Sequence, residues 1–267
     1  SPYGPGRPGW HIECSAMARA HLGNTIDLHC GGQDLIFPHH ENEIAQSECA
    51  NGCTFARYWM HNAFLNIDNH KMSKSAGNFF TVREIAEKYG YEPIRYFMLS
   101  AHYRSPLNYT AELIEACRSS LDRLYTCRDN LDFAISNASD AGSSLLAEKA
   151  AAAKVKFNTA MDDDLNTADA LAAVFELVKE INTLSADASR GALETAAAAF
   201  DELTGVLGLV YNRRTDETPA EVLELVQKRA EAKKAKDWAT ADAIRAQLAE
   251  MGWNVEDTPQ GPKVVKK

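Results

Sequence analysis

The chain has 267 residues, 45% of them apolar, enough for a sizeable core and for two domains or one with appendages. A formal net charge of −9 weighs against a nucleic-acid partner unless positive charge is gathered locally, because phosphate contacts need it. The six cysteines lack disulfide-framework spacing and no apolar run approaches the roughly 18 residues of a membrane helix, so a disulfide-stapled scaffold and a helical membrane protein are excluded and a soluble cytoplasmic protein is expected.

In chain order, SPYGPGRPGW is a Pro/Gly-rich opening without an initiator Met. All eight histidines (His11, His21, His29, His39, His40, His61, His70 and His102) fall within the first 110 positions. That crowding raises the expectation that a preceding segment completes this region. Residues 11–22 have helical periodicity, and TIDLH at 25–29 reads as a short buried strand running into the turn CGGQD. A helix over about 39–50 and a strand over HNAFLNID, 61–68, extend this to strand, helix, strand, which predicts part of a parallel α/β sheet with ligands beyond the carboxyl ends of its strands. Cys49 and Cys53 are expected to be unpaired thiols. From 81 onward the pattern predicts helices over 81–89, 92–101, 110–133, 144–160, 166–185, 191–207 and 219–235, separated by breakers such as NASDAGSS at 137–144. The segments EKAAAAK and ETAAAAF are strong helix formers, which makes them bundle helices and not linkers. DWATADAIRAQLAEMG reads as a last helix ending at Gly252, and WNVED as a small strand.

Three stretches carry chemistry. FPHHENEIAQSE, 37–48, sets His39 and Glu43 one helical turn apart on one face, a spacing that suits either a solvated surface pair or two metal ligands. KMSKS, 71–75, places two lysines among hydroxyls, either as a plain surface loop or as a loop that closes over a polyphosphate. Residues 228–236 hold Lys228, Arg229, Lys233, Lys234 and Lys236 against the single acid Glu231, with Trp238 directly after. This is either a solvated face with a packed indole or a basic surface with an aromatic on which an RNA base can stack.

KMSKS is also the second signature of class I aminoacyl-tRNA synthetases. Their first signature, His-x-Gly-His, is absent, and HLGN at 21–24 lacks its final His. GRPGWHIECSAM at 6–17, the stretch from Gly31 to Glu48, YWMHNAFLNIDNHKMSKSAGNFFT at 58–81, MDDDLNTADAL at 161–171 and KAKDWATADAIRAQLAEMG at 234–252 together closely resemble the cysteinyl-tRNA synthetase family. The resemblance covers nearly the whole chain, departing at Cys30, where the family commonly has a third Gly.

It implies a partial Rossmann-like catalytic half with the zinc ligands and lysine loop over 1–80, and a stem-contact connector over 81–110. A helical bundle over 111–212 and a small α+β anticodon-binding module over 219–267 follow. It implies zinc held by Cys14, His39 and Glu43 with a further Cys upstream, selecting L-cysteine over serine because a soft thiolate bonds zinc better than a hydroxyl does. Trp10, His11 and His40 line the amino-acid pocket. Gly31, Gly32 and Asp34 meet ATP, bound with Mg2+, and Lys74, supported by Lys71, contacts the pyrophosphate. Asp68 is expected to cap its turn. Lys233, Trp238, Asp242, Arg245 and Asp257 meet tRNA(Cys), with carboxylates reading base amino groups. A monomer without membrane contact is expected. The rival readings are a non-catalytic tRNA-binding fragment and the related ligase that joins activated cysteine to an amino sugar, which has no need of the basic tail.

Overall fold

A computed structural model describes residues 2, 4–68, 70–71, 80–213, 219–258 and 261–266. It divides into two compact units, one formed by the chain up to Arg118 with Leu165–Ala168, the other by Ser119–Asp164 with Asp169–Lys267.

The first unit opens with α1 (His11–Leu22), built from good helix formers, and β1 (Ile26–Gly32). A 3₁₀ turn, Gln33–Leu35, and a wide turn, Ile36–His40, then lead into α2 (Glu41–Asn51). Phe37 is extended at φ −131°, ψ 132°, the conformation that a following proline imposes, so the chain changes direction just before His39 and His40. Gly52 closes α2 in the left-handed region, its N–H donating to the Glu48 carbonyl. β2 (Ala56–Asn62) returns parallel to β1, with His29 beside Trp59 and Gly31 beside His61. A parallel pair requires a crossover, and α2 supplies it. Around β1 and β2, Ile26, Phe55 and Ala56 form a small buried cluster, with Ala18, Ile44 and Trp59 against it.

Two expectations change here. Of the strand expected to be buried, only Ile26 is, because β1 is covered along part of its length. The strand expected over 61–68 is two strands. β2 begins five residues earlier and ends at Asn62, after which the backbone at Ala63 and Phe64 bonds to Tyr103 and Leu107. The chain thus leaves one sheet for another, where β3 (Leu65–Ile67) pairs antiparallel with β4 (His70–Lys71) and parallel with β5 (Leu107–Tyr109). Asp68 lies in the turn between β3 and β4 at φ +49°, a conformation that Asp tolerates better than most side chains. Between β4 and β5 lie α3 (Val82–Tyr89), started by a reciprocal Thr81–Glu84 capping box, and α4 (Tyr91–Leu99).

α5 (Ala111–Asn137) runs from the first unit into the second, where α6 (Leu145–Asp162), α7 (Thr167–Leu184) and α8 (Arg190–Leu207) join it. The predicted helix boundaries agree with these to within a few residues. Leu121, Leu124, Leu131, Leu146, Phe157, Leu177, Leu193 and Phe200 are buried at helical spacing, and buried alanines on both α6 and α8 accompany their close packing. A polar clamp crosses this bundle: Arg128 donates to both oxygens of Asp201, at 2.7 and 2.9 Å, and to Asp132, which Arg213 also meets.

The last part of the unit is a helical hairpin, α9 (Ala220–Lys234) and α10 (Trp238–Glu250), with a β-hairpin, β6 (Trp253–Thr258) and β7 (Gly261–Lys266). Val222, Val226, Leu248, Trp253 and Val255 form its core. Residues 263–266, near the basic end of the chain, therefore belong to a paired strand. Lys263 is buried and donates to Asn130 of α5.

Candidate functional site

Glu43, in the first turn of α2, is fully buried. A helix N-terminus favours a carboxylate, but full burial is costly unless both oxygens find partners. Here one oxygen does. His29, on β1, donates from Nε2 to Glu43 Oε2 at 2.9 Å. The other oxygen, Oε1, is buried without a hydrogen-bond partner and lies 3.7 Å from His39 Nε2. The Cys14 sulfur completes the group, and the donor atoms of Cys14, His39 and Glu43 all lie within 4.8 Å of one another. A tetrahedral zinc ion with bonds of about 2.0–2.3 Å sets its ligands roughly 3.3–3.8 Å apart, so this trio fits zinc after small side-chain adjustment. The orphaned oxygen is the atom such an ion would satisfy. The donors of His29, His40 and Glu43 form a second trio within the same limit.

Around these atoms the histidines pair with one another. His11 Nδ1 and His39 Nδ1 are 2.8 Å apart, and the Trp10 indole stacks on His39 at 4.1 Å between centroids. A proton on His39 Nδ1, shared with His11, leaves the Nε2 lone pair free for a metal. His40 Nδ1 lies 2.8 Å from His61 Nε2, and its Nε2 lies 3.9 Å from Glu43. Burial, then the neighbouring His29, His61 and His39, push the His40 imidazole down to about 4, so it is neutral near pH 7. Burial, followed by His29 and Arg104, also lowers His61. Burial and the Glu43 carboxylate raise the Cys14 thiol. The cluster opens on a cleft of about 590 Å³ lined by Trp10, Cys14, His29, Cys30, His39, His40 and Glu43, with Met17, Leu22 and Leu28 at its apolar side. Trp10 is 55% exposed and is therefore not a core residue.

Gly31 and Gly32 have a steric reason of their own. A Cβ on Gly31 would stand 2.6 Å from the His40 ring, and one on Gly32 would stand 2.5 Å from Asp34 Oδ1. Cys49 and Cys53 are free and exposed, as expected. Lys74 lies outside the described residues, as does the Lys71 side chain; the Lys71 backbone, in β4, pairs with Asn66 of β3.

In the second unit, Trp238, Asp242 and Arg245 are exposed at i, i+4 and i+7 of α10 and so share one helix face, with Trp238 59% exposed. Asp257 stands apart from them in its chemistry. Arg229 donates to both its oxygens, at 2.8 and 3.0 Å, and Lys233 Nζ is 2.8 Å from Oδ2. These cations hold the carboxyl far below its usual range. Asp257 and Lys233, both expected to meet tRNA, are thus ion-paired with each other, and Arg229 shares the carboxylate.

Sequence reasoning placed Arg229 only in a basic run and gave no role to His29 or His61. His29 and His61 enter the site through the parallel register of β1 on β2, for which residues 11–62 carry no local signal.

Comparison with known proteins covers most of the chain. Residues 1–119 match the family described as tRNA synthetases class I (C) catalytic domain, residues 156–211 the DALR domain, and residues 215–263 the cysteinyl-tRNA ligase anticodon binding domain. Among curated proteins, the cysteine–tRNA ligase of Caldicellulosiruptor saccharolyticus is 56% identical over 270 residues, covering 99% of this chain and 58% of the relative. The ligase of Clostridioides difficile is 50% identical over 271 residues, covering 98% of this chain and 58% of its own length. That of Symbiobacterium thermophilum is 52% identical over 269 residues, covering 98% and 57%. The chain thus spans a little over half the length of these relatives. Among solved structures, a LeuRS of Agrobacterium radiobacter, in a ternary complex with tRNA and LeuAMS, is similar with a TM-score of 0.56 at 19% identity. That match covers 68% of this chain and 27% of the other, a likeness of fold.

Proposed function

Because the chain belongs to the cysteinyl-tRNA synthetase family of class I, we propose that it serves in the ATP-dependent activation of L-cysteine and transfer of the cysteinyl group to tRNA(Cys), as a cytoplasmic monomer. The observation that carries this reading is the convergence of Cys14, His39 and Glu43 around a buried carboxylate oxygen that accepts no hydrogen bond. These three residues would hold zinc, which when bound supplies a soft centre that prefers a thiol-bearing substrate to its hydroxyl analogue.

The chain's own side chains do the rest. Trp10 walls the pocket on the open side and fixes the His39 ring by stacking. His11 keeps the His39 proton on Nδ1, and neutral His40 adds no cation beside the site. Gly31 and Gly32, which leave room for His40 and Asp34, let backbone approach the adenosine, and the Asp34 carboxylate accepts from ribose hydroxyls. Lys74, with Lys71, is assigned to the pyrophosphate of ATP, bound with Mg2+. On α10, Trp238 is a stacking platform for an unpaired anticodon base, with Asp242 and Arg245 on the same face. The Asp257 pair with Arg229 and Lys233 shapes that surface. The domain plan of residues 1–80, 81–110, 111–212 and 219–267 belongs to this proposal.

The match of residues 215–263 to an anticodon-binding domain favours this reading over a ligase acting on an amino sugar. The test is calorimetric titration of the zinc-loaded chain with L-cysteine and L-serine. Cysteine binds, serine does not, and a chelator abolishes the difference. Equal binding of the two defeats the reading.

A further inference from the structure

We infer that His29 is a positioning residue for Glu43, selecting which carboxylate oxygen is offered to the metal. The inference rests on the zinc reading above and adds a residue outside the ligand trio. A carboxylate buried in full has two equivalent oxygens and can turn about its last side-chain bond, so something must choose between them. His29 makes the choice by donating to Oε2 at 2.9 Å, which leaves Oε1 alone toward Cys14 and His39. The donor is itself held. Its ring stacks on Trp59 at 4.6 Å and 14°, and meets the edge of buried Phe55 at 5.5 Å. Trp59 sits beside His29 in the parallel register of β1 on β2, so the sheet transmits its rigidity to the carboxylate. His39 is treated in the same way by His11, whose contact at Nδ1 leaves Nε2 for the ion. Each of the two buried ligands thus has its non-ligating atom occupied by a histidine, the arrangement that raises affinity by fixing ligand orientation before the ion arrives.

The experiment compares zinc binding by the full chain with that of His29→Leu and His29→Gln, using competition with a chromophoric chelator at pH 7.5 and Co2+ absorption spectra. Both replacements fill similar space, and the second alone keeps an N–H donor. The parent binds one ion. His29→Leu weakens zinc binding by about 10- to 100-fold and changes the Co2+ ligand-field bands, while His29→Gln recovers most of the affinity. Infrared difference spectra of the zinc-loaded parent with ¹³C-carboxyl glutamate give the wide stretch separation of a one-oxygen ligand, a readout independent of how the variants fold. Unchanged affinity in His29→Leu, or a two-oxygen carboxylate signature in the parent, overturns the inference. So does a parent that binds two ions of which His29→Leu loses one, since His29 is then a ligand itself. A parent that binds no zinc sinks the functional reading as well, which separates the two failures.

Discussion

Two carboxylates in this molecule, one half open to water and one fully buried, are treated in opposite ways. Asp257 has both oxygens covered by Arg229 and Lys233, so its charge is neutralised within the protein. Glu43 is more deeply buried, yet one of its oxygens is left without a hydrogen bond, and its neighbours are histidines and a thiol. A saturated ion pair is a structural element. A half-satisfied carboxylate among soft and borderline donors is a place for a cation, because leaving it empty costs free energy that a bound ion returns.

The sharpest way to break this comparison is Glu43→Gln. Removing a ligand is expected to weaken zinc binding by more than about 100-fold while leaving the metal-free chain as stable or more so, since a buried charge is gone. Chelator competition and thermal unfolding measure the two halves of that statement. Asp257→Asn has no such compensation.

Acid should separate the two regions next. His40 has a folded pKa of about 4, below its unfolded value of about 6.5, so between those values the unfolded chain binds the proton and the folded one does not. Stability therefore falls as pH drops from about 6.5 to about 4, by up to roughly 3 kcal/mol at the lower end, with His61 acting in the same direction. Asp257, whose folded pKa is depressed, keeps its full contribution above its unfolded value of about 3.9 and loses it only at lower pH. Denaturant unfolding between pH 4 and 7, followed by near-ultraviolet circular dichroism in the parent and in His40→Phe, should show the first loss reduced to the share of His61 in the variant. An unchanged pH slope would mean that His40 is not held neutral.

Gly31→Ala should cost about 1–3 kcal/mol, because its Cβ must displace the His40 ring. Asp257→Asn should cost about 1–2 kcal/mol, as the nearly buried Arg229 loses a charge-assisted pair that is half open to water on the Asp257 side. The smallest effect on folding belongs to Trp238→Ala, within about 0.5 kcal/mol for an exposed side chain, although binding to tRNA(Cys) should fall about tenfold if the indole stacks on a base. Filter binding at fixed salt checks it.

Helix positions were largely legible in the sequence, since the helices after residue 81 carry local apolar patterns set off by breakers, and some, such as α3, α8 and α10, carry side-chain caps as well. The trio Cys14, His39 and Glu43 was nameable through its resemblance to a family, and His39 with Glu43 through helical spacing alone. His29 and His61 were not, and neither was the pairing of Asp257 with Arg229 and Lys233. β7 was hidden because KVVKK looks like a charged tail until a partner strand is supplied.

Local interactions decide a helix, so the sequence by itself determined where this chain is helical, where it turns and which residues have metal-binding chemistry. Only the tertiary structure decided which oxygen of Glu43 is occupied, why residue 31 must lack a side chain and which cations Asp257 keeps. Those answers depend on atoms brought together across 9 to 28 positions of sequence, and burial gives such contacts their energy by removing the water that would otherwise satisfy each group.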